Sequence, residues 1–412
     1  MIMDCAKYVG MCVCGKEHTL ETKKVVVDYN ALANFEEYMV ELGLTGRRTV
    51  VYDQMTYKLT EGKHPKADQE IVLDPKGLRA EDVIIEKMME DLDKPEVIVA
   101  VGAGTIMDFG RYPAYKLGIP FVAIPTLASS DGFTADICSA IIDGQKKSTA
   151  MCAPALVVAD LDIIKGAPAF LVASGINDIL SKYTSVLDWK FAKIAADEYF
   201  CPVVCDLAET ALNRMRAAAD KYAATGEADH EAMTMAQMES GLTMQLLHNS
   251  RAASGAEHLM AHLVEMSPPG LEEAEGIHGE CVGVGTFATI KEYKRLASMT
   301  PKAKEFEPLS EEWVRAKFGD RLTAGIMKEN ENDVLKTFPG QNIVDHWDEI
   351  KAMIDALPSV EEMEALYKGC GAKYLPEHIG IPAEIADDVL DMSSAIRNRL
   401  TLNRAKRLLS FE

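Results

Sequence analysis

Short apolar segments alternate with helical segments from Lys24 to Asp160, and this alternation constrains the fold more than any other feature of the sequence. Such an order is typical of a parallel sheet with helices on both faces. The strands are predicted at Lys24–Asp28, Arg48–Tyr52, Glu96–Val101, Pro120–Pro125 and Leu156–Asp160, with Ile137–Ile142 in a hairpin. The helices between them are predicted at Ala31–Leu44, with Asn30 as its cap, at Ala80–Leu92, and from the loop Gly102–Thr105 to Leu117.

The pattern changes after Lys165, where strand-like segments give way to helical sequence rich in Ala, Met, Glu and Leu. Helices are predicted at Ala208–Thr225, His230–His248, Gly255–Glu265, Cys281–Leu296, Glu311–Lys317, Glu331–Leu335, Val344–Ala356, Ser359–Lys368 and Pro382–Leu409. We therefore expect two domains. A Rossmann-like α/β domain would cover residues 1–165, with a Cys-rich extension at 1–20, and an all-α domain would cover residues 166–412.

The chain of 412 residues carries a formal net charge of −21, which excludes two classes of partner. Nucleic acid and anionic membranes would be repelled, and an anionic small substrate would need a local cationic pocket. No apolar run approaches the roughly 18 residues that span a bilayer, and the N-terminus does not resemble a signal peptide. The nine scattered cysteines are therefore expected to be reduced thiols, and a cytoplasmic protein is predicted.

Two loops of small residues are predicted at the carboxyl edge of the sheet, where sheets of this kind bind ligands. Gly102–Thr105 joins a strand to a helix, so its free N–H groups would favour phosphate oxygens. Thr126–Gly132 follows the next strand. Asp53, at the end of an earlier strand, could accept hydrogen bonds from an adenosine ribose, which would favour NAD. The alternative is that Asp53 and the glycine loop only form turns.

Histidines and an aspartate predict a metal centre. His258 and His262 are four residues apart and share one helix face, and His278 follows a Pro-Pro-Gly break that can bring it back to them. Asp178, predicted to open the helix Asp178–Trp189, supplies a carboxylate. Two imidazoles and one carboxylate would leave positions open for substrate oxygens, as in catalytic sites. The alternative for His258 and His262 is a place in the core or on the surface.

The first eighteen residues contain a second group of soft metal ligands. Cys12, Cys14 and His18 have a spacing compatible with zinc, and Cys5 could complete a set of four. The alternative is a short strand and turn with free thiols.

Several motifs occur in a fixed order and together resemble one known family. They are Gly102–Asp108, Thr126–Gly132, Gly175–Ser185, Ser250–His258, His262 and His278–Glu280. This set is similar to the sn-glycerol-1-phosphate dehydrogenase family, within the superfamily of iron-type alcohol dehydrogenases, glycerol dehydrogenases and dehydroquinate synthases. The likeness runs from about Lys24 to beyond Thr286, and it implies the dehydroquinate synthase-like fold.

The resemblance implies roles for the matching residues. Asp178, His258 and His278 would bind the metal, whereas Asp131 and His262 would contact the substrate together with Asp178. His262 would be catalytic, relaying the alkoxide proton with Asp131. With Asp53 and Gly102 added from the loop argument, the residues predicted to hold the nicotinamide cofactor are Asp53, Gly102, Gly104, Thr105, Ile106, Met107, Asp108, Thr126, Leu127 and Ser129.

The sequence departs from the family pattern at two places. Ala135 occupies a position where the family usually has a Ser in contact with the cofactor, and Thr134 beside it could replace that hydrogen bond. Ala252 follows Ser250 and Arg251 where the family tends to have Pro.

The activity implied by the resemblance is metal-dependent reduction of dihydroxyacetone phosphate to sn-glycerol 1-phosphate with NADH or NADPH. Zinc or nickel suits a site of two histidines and one carboxylate. Arg251 and Lys182 are candidates for the substrate phosphate, with a structural role as the alternative for each, and the helical faces allow a homodimer. The alternative functions are a dehydrogenase of another polyol or polyol phosphate, a dehydroquinate synthase-like lyase, and a catalytically silent relative.

Overall fold

The computed structural model describes residues 1–142 and 145–412 and contains one six-stranded parallel sheet. The strands of the described chain, in chain order, are β1 Gly10–Met11, β2 Glu17–His18, β3 Lys24–Asp28, β4 Arg48–Asp53, β5 Gln69–Leu73, β6 Val97–Gly102, β7 Phe121–Pro125, β8 Ile137–Ile142, β9 Gln145–Ala150, β10 Leu156–Asp160, β11 Pro301–Ala303 and β12 Leu409–Phe411. The parallel sheet has the order β3-β10-β7-β6-β4-β5. The remaining strands form three antiparallel pairs, of which β8 and β9 are the predicted hairpin.

The direction of the chain across this sheet reverses next to β4. The chain runs from β4 outward to β5, and β6 then returns to the other side of β4. The connections that leave the carboxyl ends of β4 and β6 therefore diverge, and they open a crevice at that edge of the sheet.

Helices account for most of the remaining chain. They are α1 Phe35–Glu41, α2 Gln54–Leu59, α3 Asp82–Met89, α4 Gly104–Leu117, α5 Leu161–Ile164, α6 Ala169–Leu180, α7 Lys182–Ala196, α8 Pro202–Thr225, α9 His230–Leu247, α10 Ala256–Met266, α11 His278–Ala297, α12 Glu311–Glu329, α13 Gln341–Asp345, α14 Trp347–Asp355, α15 Val360–Gly369, α16 Ala386–Ser393 and α17 Leu402–Ala405. None of the helices in the described part of the chain is long and apolar enough to cross a membrane.

The predicted fold class is confirmed, because a parallel sheet is followed by a helical region. Every residue of β6, β7 and β10 is buried, as expected for strands that are covered on both faces. Residues of α8 and α9 belong to the same apolar cluster as one face of the sheet, so the two halves share core contacts. The division at residues 165 and 166 stays a prediction.

The helix predicted at Ala31–Leu44 is wrong in its first half. A 3₁₀ turn covers Ala31–Asn34, and the α-helix begins only at Phe35. Asn30 has a φ of 52° and its side chain makes no capping hydrogen bond. The buried Asp160 at the end of β10 accepts the Leu32 N–H instead, at 3.2 Å, so the turn is capped from the neighbouring strand.

The long helix predicted at Pro382–Leu409 is also wrong, since the segment breaks after α16 and resumes only at α17. Arg404 is fully buried and its guanidinium donates to the carbonyl oxygens of Ser394 and Arg397, at 2.6 and 2.9 Å. Those carbonyls would accept backbone N–H groups in a continuous helix. Elements that the sequence analysis did not predict include α2 and β5, and the helix predicted at Glu331–Leu335 is a 3₁₀ turn at Val334–Lys336.

Candidate active site

Asp178, His258 and His278 come together where three helices meet. Asp178 lies in the last turn of α6 and not at the start of a helix as predicted, because the chain is interrupted at Ser181 before α7 begins. His258 is in the first turn of α10, and His278 is the first residue of α11. Asp178 Oδ1 is 3.5 Å from His258 Nε2 and 3.8 Å from His278 Nε2. One donor atom of each residue lies within 4.8 Å of the others, a spacing that a single ion can bridge.

Two carboxylates orient the histidine rings. Nδ1 of His258 is 2.8 Å from Glu257 Oε1, and Nδ1 of His278 is 3.0 Å from Glu265 Oε1. A carboxylate only accepts hydrogen bonds, so each Nδ1 carries a proton, and each Nε2, the nitrogen that faces Asp178, is the one left to bind a metal ion. This second layer of acceptors is the usual support of metal-binding histidines. Oδ1 of Asp178 is buried without a hydrogen-bond partner in the described chain, so the residues fit a divalent cation.

The pKa of His258 shows that the electrostatic potential at this cluster is negative. Burial lowers its pKa, but the neighbouring carboxylates of Asp178 and Glu257 outweigh burial and raise the pKa to about 9. Burial raises the pKa of Asp178, but the charge of Lys182 and both histidines lower it well below the ordinary range. The carboxylate is therefore ionised, and the same field would stabilise a bound cation.

His262 lies one turn beyond His258 on α10 and outside the ligand cluster. Its ring centroid is 6.1 Å from that of His258 and 6.1 Å from that of His278. Burial lowers its pKa well below the ordinary value, so the ring is neutral. Its Nδ1 has no hydrogen-bond partner among residues 1–142 and 145–412. The ring therefore has an unused nitrogen close to the predicted ligands.

Asp131 is brought to the cluster by its backbone. Its N–H donates to Asp178 Oδ2 at 2.8 Å. Its carboxylate binds the Lys182 ammonium at 2.8 Å and accepts from the Ser240 hydroxyl of α9, also at 2.8 Å. Lys182 is fully buried in this contact, so its structural role is the one that the contacts show.

The loop that carries Asp131 can reach Asp178 because a glycine faces it. A Cβ added to Gly175 on α6 would lie 1.9 Å from the carbonyl oxygen of Ala128. Any side chain at that position would push the loop away from the helix that carries Asp178.

The segment Ser250–His258 is a scaffold for the first histidine. Arg251 donates to Glu198 and to the carbonyl oxygens of Asp188 and Leu400, so its alternative structural role is the one observed. The carbonyl oxygen of Asp188 is thus tied to the turn before α10. A Cβ on Gly255 would lie 2.7 Å from Asp188 Oδ2, which explains the glycine directly before this helix.

The glycine loop and the Thr126 loop lie side by side at the carboxyl edge of the sheet. Thr126 N–H donates to the carbonyl oxygen of Gly102 at 3.1 Å, and the added Cβ of Gly104 would lie 3.8 Å from Ser130 Oγ. Partly exposed positions there are Ala103, Gly104, Thr105, Leu127, Ala128, Ser129 and Ser130. These two loops therefore form one surface that could hold a dinucleotide.

Three of the predicted cofactor-binding side chains point elsewhere. Ile106 and Met107 are buried in the apolar core beneath the sheet, so only their backbone could face a cofactor. Asp108 is buried and pairs with Arg111 at 3.4 Å. A cofactor at these positions would therefore contact the backbone N–H groups at the start of α4 and not the three side chains.

Asp53 lies at the carboxyl end of β4 beside the glycine loop, the position predicted for a residue that binds an adenosine ribose. Its Oδ1 accepts the N–H groups of Met55 and Thr56 at 2.7 and 2.8 Å and caps α2. The turn role is therefore observed. A ribose contact through the other carboxylate oxygen stays a prediction.

Thr134 does not replace the missing family serine. It is fully buried, and its hydroxyl donates to the Met238 carbonyl oxygen at 2.9 Å. Ala135 is likewise fully buried, against Met244 and Ala253.

A cleft that was not predicted from the sequence, with two cationic side chains, lies beside His262. The cleft has a volume of about 260 Å³, and its lining includes Arg397, Lys147 and Glu329. In the part of the chain that the structure describes, the Arg397 guanidinium has no hydrogen bond or ion pair, and burial lowers its pKa. Arg397 falls within the continuous helix predicted at Pro382–Leu409, and none of the quoted motifs includes it.

Comparison with known proteins agrees with the family resemblance. A sequence model of the family described as iron-containing alcohol dehydrogenase matches residues 26–168. The glycerol-1-phosphate dehydrogenase (NAD(P)+) of Geobacillus stearothermophilus is 30% identical to this chain, covering 95% of the chain and 94% of the relative. The protein of the same name from Halalkalibacterium halodurans is 30% identical, covering 98% of this chain and 96% of the relative.

Solved structures share the fold at lower identity. Maleylacetate reductase from Agrobacterium tumefaciens superposes with a TM-score of 0.61 at 14% identity, covering 95% of each chain. Glycerol dehydrogenase from Schizosaccharomyces pombe has a TM-score of 0.53 at 20% identity and covers 92% of this chain and 94% of its own. These likenesses show the fold, whereas the near full-length relatives show more: the chain belongs to the glycerol-1-phosphate dehydrogenase family of the iron-containing alcohol dehydrogenase superfamily.

Proposed function

We propose that this protein reduces dihydroxyacetone phosphate to sn-glycerol 1-phosphate with NADH or NADPH, in a reversible reaction. The observation that carries the proposal is a single arrangement: a three-ligand cluster, a neutral His262 beside it, and Arg397 in the cleft that His262 lines. The names of the relatives at 30% identity support the substrate and the cofactor.

The chemistry of such a reaction needs two groups that the side chains cannot supply. A divalent ion at Asp178, His258 and His278 would polarise the substrate ketone, and a nicotinamide held at the two sheet-edge loops would donate the hydride. Zinc or nickel is the proposed ion, because imidazole and carboxylate donors suit both. The predicted cytoplasmic location and the homodimer stay predictions.

The chain itself moves the proton. A neutral imidazole has one N–H and one lone pair, so His262 can give a proton to the new hydroxyl oxygen and take another from the cleft. In alcohol oxidation the same ring would accept the hydroxyl proton. Asp131 holds Asp178 through its backbone N–H, and its carboxylate is engaged by Lys182 and Ser240. We therefore assign Asp131 to positioning and substrate contact, with His262 as the proton carrier.

Arg397 is our candidate for the substrate phosphate. A planar guanidinium can bind two phosphate oxygens at once, and Lys147 adds a second positive charge to the same cleft. The net charge of −21 would repel an anionic substrate, so such a substrate needs a local cationic pocket. Arg397 and Lys147 provide that positive charge.

The direct test uses purified protein with dihydroxyacetone phosphate and either NADH or NADPH, after chelation and re-addition of single metals. We expect cofactor oxidation with zinc or nickel, sn-glycerol 1-phosphate as the product, and no turnover after chelation. His258→Ala should be inactive, whereas His346→Ala, an exposed histidine outside the cluster, should be unchanged. Full turnover of His258→Ala after chelation, or a lyase reaction without net cofactor use, would overturn the proposal.

A second test addresses the phosphate. Arg397→Gln should raise KM for dihydroxyacetone phosphate roughly 10- to 100-fold, the cost of losing a hydrogen-bonded charge. Activity with unphosphorylated dihydroxyacetone should change little in the same variant. An equal loss with both substrates would show that Arg397 does not bind the phosphate.

A further inference from the structure

Three cysteines and a histidine come together at the N-terminal hairpin, outside the predicted active site. Cys12, Cys14 and His18 belong to the hairpin, and Cys201 is the residue directly before α8. One donor atom of each lies within 4.8 Å of the others. We propose that these four residues bind one structural zinc ion.

The distances within the cluster suit a tetrahedral ion. Cys12 Sγ and Cys201 Sγ are 3.7 Å apart. His18 Nε2 is 3.3 Å from Cys14 Sγ and 3.3 Å from Cys201 Sγ. Zinc–sulfur bonds of about 2.3 Å put two sulfurs of a tetrahedron about 3.8 Å apart, and the shorter zinc–nitrogen bond brings nitrogen and sulfur closer. Little movement is therefore needed to place an ion at the centre.

The tautomer of His18 is set for metal binding. Its ring is buried, and Nδ1 is 2.7 Å from the carbonyl oxygen of Leu246 at the end of α9. A carbonyl oxygen only accepts, so the proton is on Nδ1 and the Nε2 lone pair faces the sulfurs. A backbone carbonyl in this position is a common outer support of zinc-bound histidine.

Two neighbours of the cluster would stabilise negative charge on metal-bound sulfur. Cys201 is the N-cap residue of α8, a helix of 24 residues, so the partial positive charge of the helix start lies beside its sulfur. Tyr199 Oη is 3.2 Å from Cys14 Sγ and can donate to it once that thiol has lost its proton. Zinc binding would release the thiol protons to water, as in other cysteine-rich sites.

The ion has a structural task. Strands β1 and β2 have two residues each, too few to hold a hairpin in water without support. The cluster would fasten this hairpin to the start of α8 and, through His18, to the end of α9. Four protein ligands leave no position for substrate, which is the pattern of structural zinc.

The fourth ligand differs from the one expected in the sequence. Cys5 is buried in the apolar core of the sheet domain and is not part of the cluster. It is therefore a matched control: a buried cysteine of the same N-terminal segment without a metal-binding role.

The experiment measures metal in the full-length protein by elemental analysis and by cobalt replacement. Wild type should hold two zinc or cobalt ions per chain, and His258→Ala should keep one. Cobalt in the proposed site should give near-ultraviolet bands from sulfur-to-metal charge transfer, and these bands should persist in His258→Ala. The Asp178 cluster has no sulfur and cannot produce them.

Cysteine variants complete the test. Cys201→Ser and Cys14→Ser should each lose one metal ion and the charge-transfer bands, whereas Cys5→Ser should keep both. If the cysteine variants fail to fold, the spectrum of cobalt-loaded His258→Ala still decides the question. Absence of the sulfur bands in that protein, or a Cys12–Cys201 disulfide found by mass spectrometry of the purified wild type, would overturn the proposal.

Discussion

The two clusters of possible metal ligands differ in ways that separate a reactive site from a structural one. The cluster of Asp178, His258 and His278, here called the open cluster, has three ligands and lies next to His262 and a cleft. The cluster of Cys12, Cys14, His18 and Cys201, here called the closed cluster, has four ligands. None of these four residues lines the cleft beside His262. Three ligands leave room for a substrate oxygen, and four do not.

The supports of the two clusters differ as well. Carboxylates orient the histidines of the open cluster. They make each Nε2 a stronger electron-pair donor to a metal ion, and they add negative charge around that ion. A neutral backbone carbonyl orients His18 in the closed cluster. Helix α9 touches both regions, since Ser240 contacts Asp131 and Leu246 contacts His18. The chain thus places a centre that must stay reactive and one that must stay fixed at different points along the same helix.

The largest contrast is expected between loss of a ligand at each cluster. Asp178→Asn should lower turnover about 1000-fold, because a Lewis-acid ion contributes several kcal/mol to the transition state. Cys14→Ser should retain most of the turnover but lower the melting temperature by several degrees, because a structural metal contributes folding energy. Steady-state kinetics and thermal unfolding of both variants provide the measurement.

The two variants also control for each other. Asp178→Asn should keep the charge-transfer bands of the closed cluster, and Cys14→Ser should keep the metal of the open one. Loss of activity in Cys14→Ser as large as that in Asp178→Asn would mean that the closed cluster takes part in the reaction.

The sequence predicted the open cluster better than the closed one, for a physical reason. His258 and His262 are four residues apart on one helix, so local periodicity already put them together. Asp178 was found through its motif, although the helix that carries it was misjudged. Cys201 is 183 residues from His18 along the chain, and only the packing of α8 against the sheet domain brings them together.

The fold was predicted where local pattern determines structure. The strands that are buried on both faces read as continuous apolar runs, and β10 has the predicted bounds. The C-terminal segment failed because buried polar contacts override helix propensity there: Arg404 takes two carbonyl oxygens, and the Leu402 N–H donates to Asp188. Arg397 was missed for the same reason, since its place in the cleft depends on that break.

A smaller contrast is expected from the supporting groups. Glu257→Gln should weaken metal binding at the open cluster about 10- to 100-fold, because the group that accepts from His258 would lose its negative charge or present an NH2 donor instead. Tyr199→Phe removes one neutral hydroxyl from the closed cluster and should weaken binding by about tenfold or less. Competition with a chelator measures both affinities, and cobalt bands identify the closed cluster. Equal effects at the two clusters would contradict the distinction between charged and neutral supports.

The smallest effect is expected from α9, the helix that contacts both regions. Ser240 donates to Asp131 Oδ2, and Asp131 in turn holds Asp178 through its backbone. Ser240→Ala should therefore lower kcat by about tenfold or less without changing the metal content of either cluster. Thr243→Ala is the matched control, since among the described residues that hydroxyl donates to the carbonyl oxygen of Ser240 within the helix and not to the active site. If both variants lose kcat equally, the effect comes from the helix as a whole. If Ser240→Ala also loses metal from the open cluster, the Ser240–Asp131 hydrogen bond is needed for metal binding and not only for turnover.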